Sequence, residues 1–142
     1  MGKLAGKTAI VTGSTRGIGK AIALRYGIEG ANVVVSGTNA ALCEEVAGQI
    51  RQNGGTAIGI PCDISKLDDI NRLYDKTLEA FGEINIVVNN AGATRRGDFF
   101  ALSDDDFVDG FALKFHGYVR LSRAAWPHLK SSRGSIVNII GA

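Results

Sequence analysis

A glycine-rich segment near the start of the chain has residue types and spacing suited to binding an anion. The apolar run 8–12 leads directly into Gly13-Ser14-Thr15-Arg16-Gly17-Ile18-Gly19, after which helical periodicity begins. A turn between a strand and a helix N-terminus presents backbone N–H groups, and the helix dipole favours negative charge there. Glycine is needed where a Cβ would block a phosphate or where φ is positive. The segment predicts a phosphate site, with a tight turn that binds nothing as the alternative.

The spacing within this loop separates the classes of nucleotide-binding protein. A nucleoside-triphosphate loop has the pattern G-x-x-x-x-G-K-[ST]. Counted back from Gly19-Lys20, its first glycine is replaced by Ser14 and its last hydroxyl residue by Ala21, so the Mg²⁺ ligand is missing. The dinucleotide pattern G-x-G-x-x-G is not matched literally either. The pattern present is T-G-x-x-x-G-x-G.

Apolar runs alternate with helical periodicity along the whole chain. Strands are predicted at residues 8–12, 32–36, 56–62, 84–89 and 135–140. Between them, helices are predicted at 17–29, around Leu42, Val46 and Ile50, from a cap at Ser65 to Gly82, and at 104–130. Strands that are continuous apolar runs indicate a parallel sheet covered on both faces. We therefore predict an α/β fold, a doubly wound parallel sheet in one domain spanning residues 1–142.

Residue spacing marks two of these helices. In the first helix, Ile18, Ala21, Ile22 and Arg25 follow helical spacing. In the last helix, the predicted inward stripe is Phe107, Phe111, Phe115, Tyr118 and Ser122.

Composition excludes several classes of function. With 142 residues, 45% of them hydrophobic, and a net charge of +2, the chain fits a single folded domain and not a disordered segment. The basic residues are scattered, so no nucleic-acid partner is expected. No apolar stretch is long enough to span a membrane. Cys43 and Cys62 are isolated and favour a reducing, cytoplasmic location, while His116 and His128 lack the spacing of metal ligands.

Four motifs, in this order, resemble the short-chain dehydrogenase/reductase family. They are residues 12–19, Cys62-Asp63-Ile64, Asn89-Asn90-Ala91-Gly92 and Val137-Asn138-Ile139. The resemblance spans essentially the whole chain and implies a Rossmann sheet. It also implies an NAD(P)-dependent oxidoreductase that transfers hydride between nicotinamide and a carbonyl or alcohol substrate. The alternative is a non-catalytic NADP-binding module, or pseudo-enzyme, that lacks the Ser, Tyr and Lys of the family.

The resemblance assigns cofactor contacts to the residues that follow the strands. They are Gly13, Ser14, Thr15, Arg16, Gly17, Ile18, Gly19, Gly37, Thr38, Asn39, Asp63, Ile64, Asn90, Ala91 and Gly92. Asp63 is assigned to the adenine amino group, with an Asx turn before Ser65 as the alternative. The small pair Ala91-Gly92 would let the backbone approach a ribose, and Asn89 is expected to brace the loop near Thr12.

The end of the second strand bears on which dinucleotide binds. Enzymes that use NAD commonly place an acid there for the ribose 2′-hydroxyl, and that position falls on Gly37. Arg16 adds a positive charge that could reach a 2′-phosphate, or it could simply be solvated. Against this, Thr38 stands where relatives that prefer NADP often have Arg. We predict that NADP(H) is favoured over NAD(H).

The catalytic residues of the family are not found intact. The family Asn position falls on Lys114 and the Ser position on Gly141, and the sequence ends before any Tyr-x-x-x-Lys pair. Lys114 could reach a ribose or substrate oxygen in place of the missing Lys, or extend to solvent. The family sheet has about seven strands, so the chain is expected to belong to a longer product. The 104–130 helix could form a homo-oligomer, and the substrate cannot be identified.

Overall fold

A parallel sheet of five strands forms the centre of the structure, a computed structural model that describes residues 2–141. The strand order is β3-β2-β1-β4-β5. The strands are β1 (Thr8–Val11), β2 (Asn32–Gly37), β3 (Thr56–Pro61), β4 (Ile86–Asn89) and β5 (Ser135–Asn138). The order reverses between β1 and β4, which makes this the point where ligands bind in open α/β sheets. The predicted doubly wound α/β fold with five strands is confirmed.

Helices cover both faces of this sheet. They are α1 (Gly17–Ile28), α2 (Ala40–Gln52), α3 (Leu67–Phe81), α4 (Asp104–Phe111) and α5 (Tyr118–Ser132), with a π-helical segment (Ala112–Gly117) between the last two. Local signals set several of their ends. Asn39 accepts a hydrogen bond from the Leu42 N–H at the start of α2, and Ser103 forms a capping box with Asp106 at the start of α4. Gly82 ends α3 with a φ of 81°.

Two apolar clusters fill the space between the sheet and the helices. Successive residues of one strand point into different clusters, since Val34 packs on the side of α3 and α5 whereas Val33 and Val35 pack on the side of α1 and α2. The same division holds in β1, where Ile10 and Val11 face opposite sides. Because both faces are covered, the middle positions of the central strands, such as residues 9–11, 33–35 and 86–88, are apolar on both sides. Within residues 2–141, no helix is long and apolar enough to cross a membrane.

The predicted helix over residues 104–130 is not one continuous α-helix. The π-helical segment inserts a wider turn, so one 3.6-residue stripe cannot continue from α4 into α5. The stripe prediction is right for Tyr118, which is buried, and wrong for Phe107, Phe111 and Phe115, which are 39%, 59% and 55% exposed. The buried positions in this region are Gly110, Gly117, Tyr118, Leu121, Ala125 and Leu129.

The buried face of α1 and the start of α3 differ from the sequence pattern. The buried face of α1 consists of Gly19, Ala23 and Gly27, whereas Ile18 is exposed. Small residues allow α1 to lie close to its neighbours, so apolar periodicity did not identify the contact face. Ser65 does not cap α3, because α3 begins after Lys66 and the Ser65 hydroxyl donates instead to Asp63 Oδ1.

Candidate functional site

The carboxyl ends of the strands place the predicted cofactor residues around one crevice. The loop after β1 holds residues 12–19, and the loop after β4 holds residues 90–92. These loops touch, since a Cβ added to Gly13 would lie 2.8 Å from Ala91 Cα. β1 and β4 are the neighbouring strands at which the sheet order reverses. The crevice is therefore at the switch point of the sheet.

The three loop glycines meet different surroundings. Gly13 and Gly17 have φ values of 61° and 57°, in the region that favours glycine. A Cβ on Gly13 would strike the β4 loop, and one on Gly19 would strike the Gly13 carbonyl and the Asn90 side chain. A Cβ on Gly17 would meet nothing within 4 Å. Gly13 and Gly19 thus allow close packing within the protein, whereas Gly17 leaves open space above the start of α1.

Ser14 joins the loop to β2 and has its side chain buried. Its hydroxyl donates to the Val11 carbonyl at 2.6 Å and accepts from the Ser36 N–H at 3.0 Å. Its own N–H donates to the Ser36 carbonyl at 2.9 Å. Thr15 packs against the end of β2, because a Cβ on Gly37 would lie 2.9 Å from Thr15 Cγ2. The hydroxyl and the N–H of Ser14 are therefore already hydrogen-bonded within the protein, and they hold the loop against the end of β2.

Asn90, and not Asn89, braces the glycine loop. Asn90 Nδ2 donates to the carbonyls of Thr12 and Gly13 at 3.2 and 3.1 Å. The N–H groups of Asn90 and Ala91 both donate to Thr12 Oγ1 at 3.1 Å. The prediction that Asn89 performs this role is wrong, since successive side chains along β4 point to opposite sides.

Asn89 is buried on the other side of β4. Its Nδ2 donates to Asn138 Oδ1 at 2.8 Å and to Ser122 Oγ at 3.1 Å, and its Oδ1 has no hydrogen-bond partner within residues 2–141. Asn89 therefore ties β4 to β5 and α5 below the crevice.

The structure contains the Asx turn that the sequence left as an alternative for Asp63. Asp63 Oδ1 accepts from the Ser65 hydroxyl at 2.6 Å and from the Ser65 N–H at 2.9 Å. These hydrogen bonds lower the pKa of Asp63, which keeps its carboxyl ionised at neutral pH. Asp63 Oδ2 makes no hydrogen bond within the described part of the chain. The next residue, Ile64, has its side chain in the core against Gly117.

The residues predicted to choose between the dinucleotides lie at the rim of the crevice. Arg16 and Thr38 are exposed, and Arg16 takes part in none of the ion pairs found in residues 2–141. Asn39 is also exposed, but its side-chain oxygen is occupied by capping α2. No carboxylate stands at the end of β2, where Gly37 is.

Lys114 lies over the carboxyl end of β4 and does not extend to solvent. Its Nζ donates to the Asn90 carbonyl at 3.4 Å and to Tyr118 Oη at 3.3 Å. The Tyr118 hydroxyl in turn donates to the Ile139 carbonyl at 2.9 Å. Gly92, with a φ of 123°, lies under the Lys114 side chain. The sequence did not identify Tyr118 as a site residue, although the spacing of four between Lys114 and Tyr118 is a signal that they share a helix face.

A surface cavity of about 350 Å³ adjoins Lys114. Its lining residues are Thr94, Arg95, Leu102, Asp106, Phe107, Gly110, Phe111, Lys114 and Phe115. Gly141, the predicted Ser position, is exposed at the end of the described chain and has nothing within 4 Å of an added Cβ.

Neither cysteine is suited to act as a nucleophile. Burial raises the pKa of Cys62 to about 12, and burial also raises the pKa of Cys43. Both thiols are buried and unpaired, and thiols in apolar surroundings are unreactive. Among residues 2–141 there is no group of three or more His, Cys, Asp or Glu side chains that could hold a metal ion.

A glycine-rich loop at the switch point of a doubly wound parallel sheet defines the class of Rossmann-type nucleotide-binding domains. The family model described as short chain dehydrogenase matches residues 7–141, and the chain belongs to the short-chain dehydrogenase family.

Comparison with known proteins identifies fungal and bacterial relatives. Versicolorin reductase 1 of Dothistroma septosporum is 40% identical over 128 residues, which cover 89% of this chain and 49% of the relative. The 7alpha-hydroxysteroid dehydrogenase of Escherichia coli (strain K12) is 35% identical over 135 residues, covering 95% of this chain and 52% of the relative. The chain spans about half the length of the curated relatives it matches.

Solved structures share the same fold. The crystal structure of hydroxysteroid dehydrogenase from Escherichia coli has a TM-score of 0.92 and 35% identity, covering 97% of this chain and 57% of that chain. A 7 alpha-hydroxysteroid dehydrogenase complexed with NADH and 7-oxo glycochenodeoxycholic acid also has a TM-score of 0.92 and 35% identity, over 97% of this chain and 54% of that chain.

Proposed function

We propose that this chain is the dinucleotide-binding part of an NAD(P)-dependent oxidoreductase acting on a carbonyl or alcohol substrate, and that residues 1–142 act as one binding domain. The observation that carries the proposal is the open space at Gly17, at the switch point of the sheet, beside the helix N-terminus of α1. An anion is favoured there by free backbone N–H groups and by the helix dipole. The bound dinucleotide would supply the hydride donor or acceptor.

The residues around the crevice would hold the dinucleotide in separate ways. The backbone of residues 13–19 would hold the pyrophosphate. The Asp63 carboxylate has one oxygen without a hydrogen-bond partner in the described chain and would accept from the adenine amino group. The backbone of residues 90–92 would lie along the nicotinamide ribose, with Asn90 keeping the two loops together.

We further propose that NADP(H) binds more tightly than NAD(H). A carboxylate at the end of β2 would repel a 2′-phosphate, and Gly37 carries none. Arg16 is exposed and has no acidic partner among the described residues, so its charge is available to that phosphate. Thr38 and the Asn39 amide, both exposed, could donate further hydrogen bonds.

Exposed apolar side chains of the 104–130 region that lie outside the cavity lining, among them Val108, Val119 and Trp126, suit a homo-oligomer contact. The scattered basic residues do not suggest a nucleic-acid partner, and the buried free thiols fit the prediction of a cytoplasmic location. The substrate would be a small molecule.

The function is tested by titrating the chain with NADPH while following nicotinamide fluorescence. Gly17→Val fills the open space above the loop, and we expect at least a tenfold loss of affinity. Gly54→Val is the matched control, because Gly54 has a φ of 85° and also meets nothing within 4 Å, but lies in the turn between α2 and β3. Both variants place a side chain in a left-handed conformation, at a cost of about 1–2 kcal/mol.

The two variants should therefore unfold at similar denaturant concentrations and differ in NADPH binding. Unchanged affinity in Gly17→Val, or equal losses in both variants, would show that the loop is only a turn.

A further inference from the structure

We propose that Lys114 is a fixed cation that makes the adjoining cavity select an apolar, aromatic ligand carrying an anionic oxygen. This inference deepens the proposed function and rests on it, because the ligand would be the substrate of the oxidoreductase. Lys114 stands at the position where the family resemblance implies Asn.

The Lys114 ammonium is held in place by two acceptors. Its Nζ donates to the Asn90 carbonyl and to the Tyr118 hydroxyl, at 3.4 and 3.3 Å. The Tyr118 hydroxyl is itself fixed because it donates to the Ile139 carbonyl at 2.9 Å. An ammonium has three N–H donors, so one remains for a ligand. Lys114 also lines the cavity, which puts this donor within reach of a molecule bound there.

The other charges around the cavity cancel each other. Arg95 Nη1 lies 3.3 Å from Asp106 Oδ1, and these two are the only other charged residues among the described lining residues. Asp106 is also held at the start of α4 by the capping box with Ser103. Lys114 forms no ion pair within residues 2–141. The cavity therefore carries a net positive charge located at Lys114.

The remaining surface of the cavity is apolar and aromatic. Leu102, Phe107, Phe111 and Phe115 line it, and the rings of Phe111 and Phe115 pack edge to face with centroids 6.5 Å apart. At about 350 Å³, the cavity has the size of a small-molecule site. Aromatic walls favour a flat apolar molecule, and a single fixed cation favours an oxygen with negative charge on that molecule.

The position of Lys114 links the cavity to the dinucleotide crevice. Its aliphatic stem lies on Gly92, with Cδ 3.3 Å from where a Cβ would be, and its Nζ contacts the Asn90 carbonyl. Both residues follow β4 at the carboxyl edge of the sheet. An oxygen bound to Lys114 would thus lie at the end of the cavity that is nearest to the proposed dinucleotide.

The test compares two probes that differ in charge. 2-Naphthoate and the neutral 2-naphthalenemethanol have the same ring system, and their dissociation constants are measured by equilibrium dialysis at low ionic strength. We expect the unmodified chain to bind naphthoate about tenfold more tightly, which corresponds to about 1.4 kcal/mol. Lys114→Met should abolish this preference, and Lys114→Arg should keep most of it. Lys130→Met, which removes one positive charge far from the cavity, should leave the preference unchanged.

Tyr118→Phe tests the positioning role of the hydroxyl. It keeps the ring in the core but removes one of the two acceptors that hold Lys114, so we expect the preference for naphthoate to fall without loss of folding. Equal affinities for the two probes in the unmodified chain, or an unchanged preference in Lys114→Met, would overturn the proposal. A separate NADPH titration of the unmodified chain distinguishes this failure from failure of the proposed function, because naphthoate selection does not require bound dinucleotide.

Discussion

At the scale of single residues, position in the structure decides what a loop glycine contributes. Gly13, Gly17 and Gly19 are equivalent in the sequence pattern, yet only Gly17 has open space where its Cβ would be. Gly13 and Gly19 are needed because backbone and side-chain atoms of the neighbouring loops lie there. The ligand-facing glycine could not be chosen from the sequence, since the distinction depends on the contact with Ala91 and Asn90.

The exposed Arg16 side chain is expected to set the preference for NADP(H). Replacing it by Ala should weaken NADPH binding more than NADH binding, because one charge-assisted hydrogen bond contributes about 1.5–3 kcal/mol. The dissociation constant for NADH divided by that for NADPH is expected to fall by about tenfold or somewhat more. Arg25→Ala is the control, since Arg25 lies in the last turn of α1, at the other end from Arg16, and pairs with Glu29. Equal affinities for both dinucleotides in the unmodified chain would show that Arg16 does not bind the phosphate.

For the helices and strands, the contact between α1 and α2 depends on Gly27, a residue without a side chain. A Cβ on Gly27 would lie 2.6 Å from Ile50 Cγ2, and Ile50 is buried. This close approach explains why the buried face of α1 consists of small residues and was not found by searching for apolar ones. Similarly, the π-helical segment was not predicted because a wide turn changes the phase of the apolar pattern without changing its composition.

Gly27→Ala should therefore destabilise the fold. Overpacking against Ile50 typically costs about 1–3 kcal/mol, which we expect to exceed the about 0.8–1.0 kcal/mol that alanine gains over glycine inside a helix. Gly48→Ala is a control that should have the opposite effect, because a Cβ at Gly48 has only the end of the Arg51 side chain within 4 Å. Inside a helix, glycine is about 0.8–1.0 kcal/mol less favourable than alanine. Denaturant unfolding should show Gly27→Ala as less stable and Gly48→Ala as equal to or more stable than the unmodified chain. Stabilisation by Gly27→Ala would contradict the close packing of α1 on α2.

For the whole molecule, the apolar runs of the strands and the glycines that end strands and helices were sufficient to predict the sheet and its covering helices. Runs such as residues 33–35 are apolar at every position because both faces of the sheet are covered, and this pattern is visible in sequence. The site residues were predicted through motifs, but their contacts were not. Whether Asn89 or Asn90 reaches the glycine loop depends on which way each side chain leaves β4, and Tyr118 approaches Lys114 and Ile139 only after folding.

Dinucleotide binding at the switch point is tested most directly by amide chemical-shift mapping of the isotopically labelled chain during a titration with NADPH. We expect the perturbed amides to cluster at the carboxyl edge of the sheet, in residues 13–19, at Asp63 and Ile64, and in residues 90–92. Amides at the opposite edge, such as those of Gly54, Gly82 and Gly134, should not shift. Perturbations that cluster at the opposite edge, or no perturbation at saturating NADPH, would contradict dinucleotide binding at the switch point.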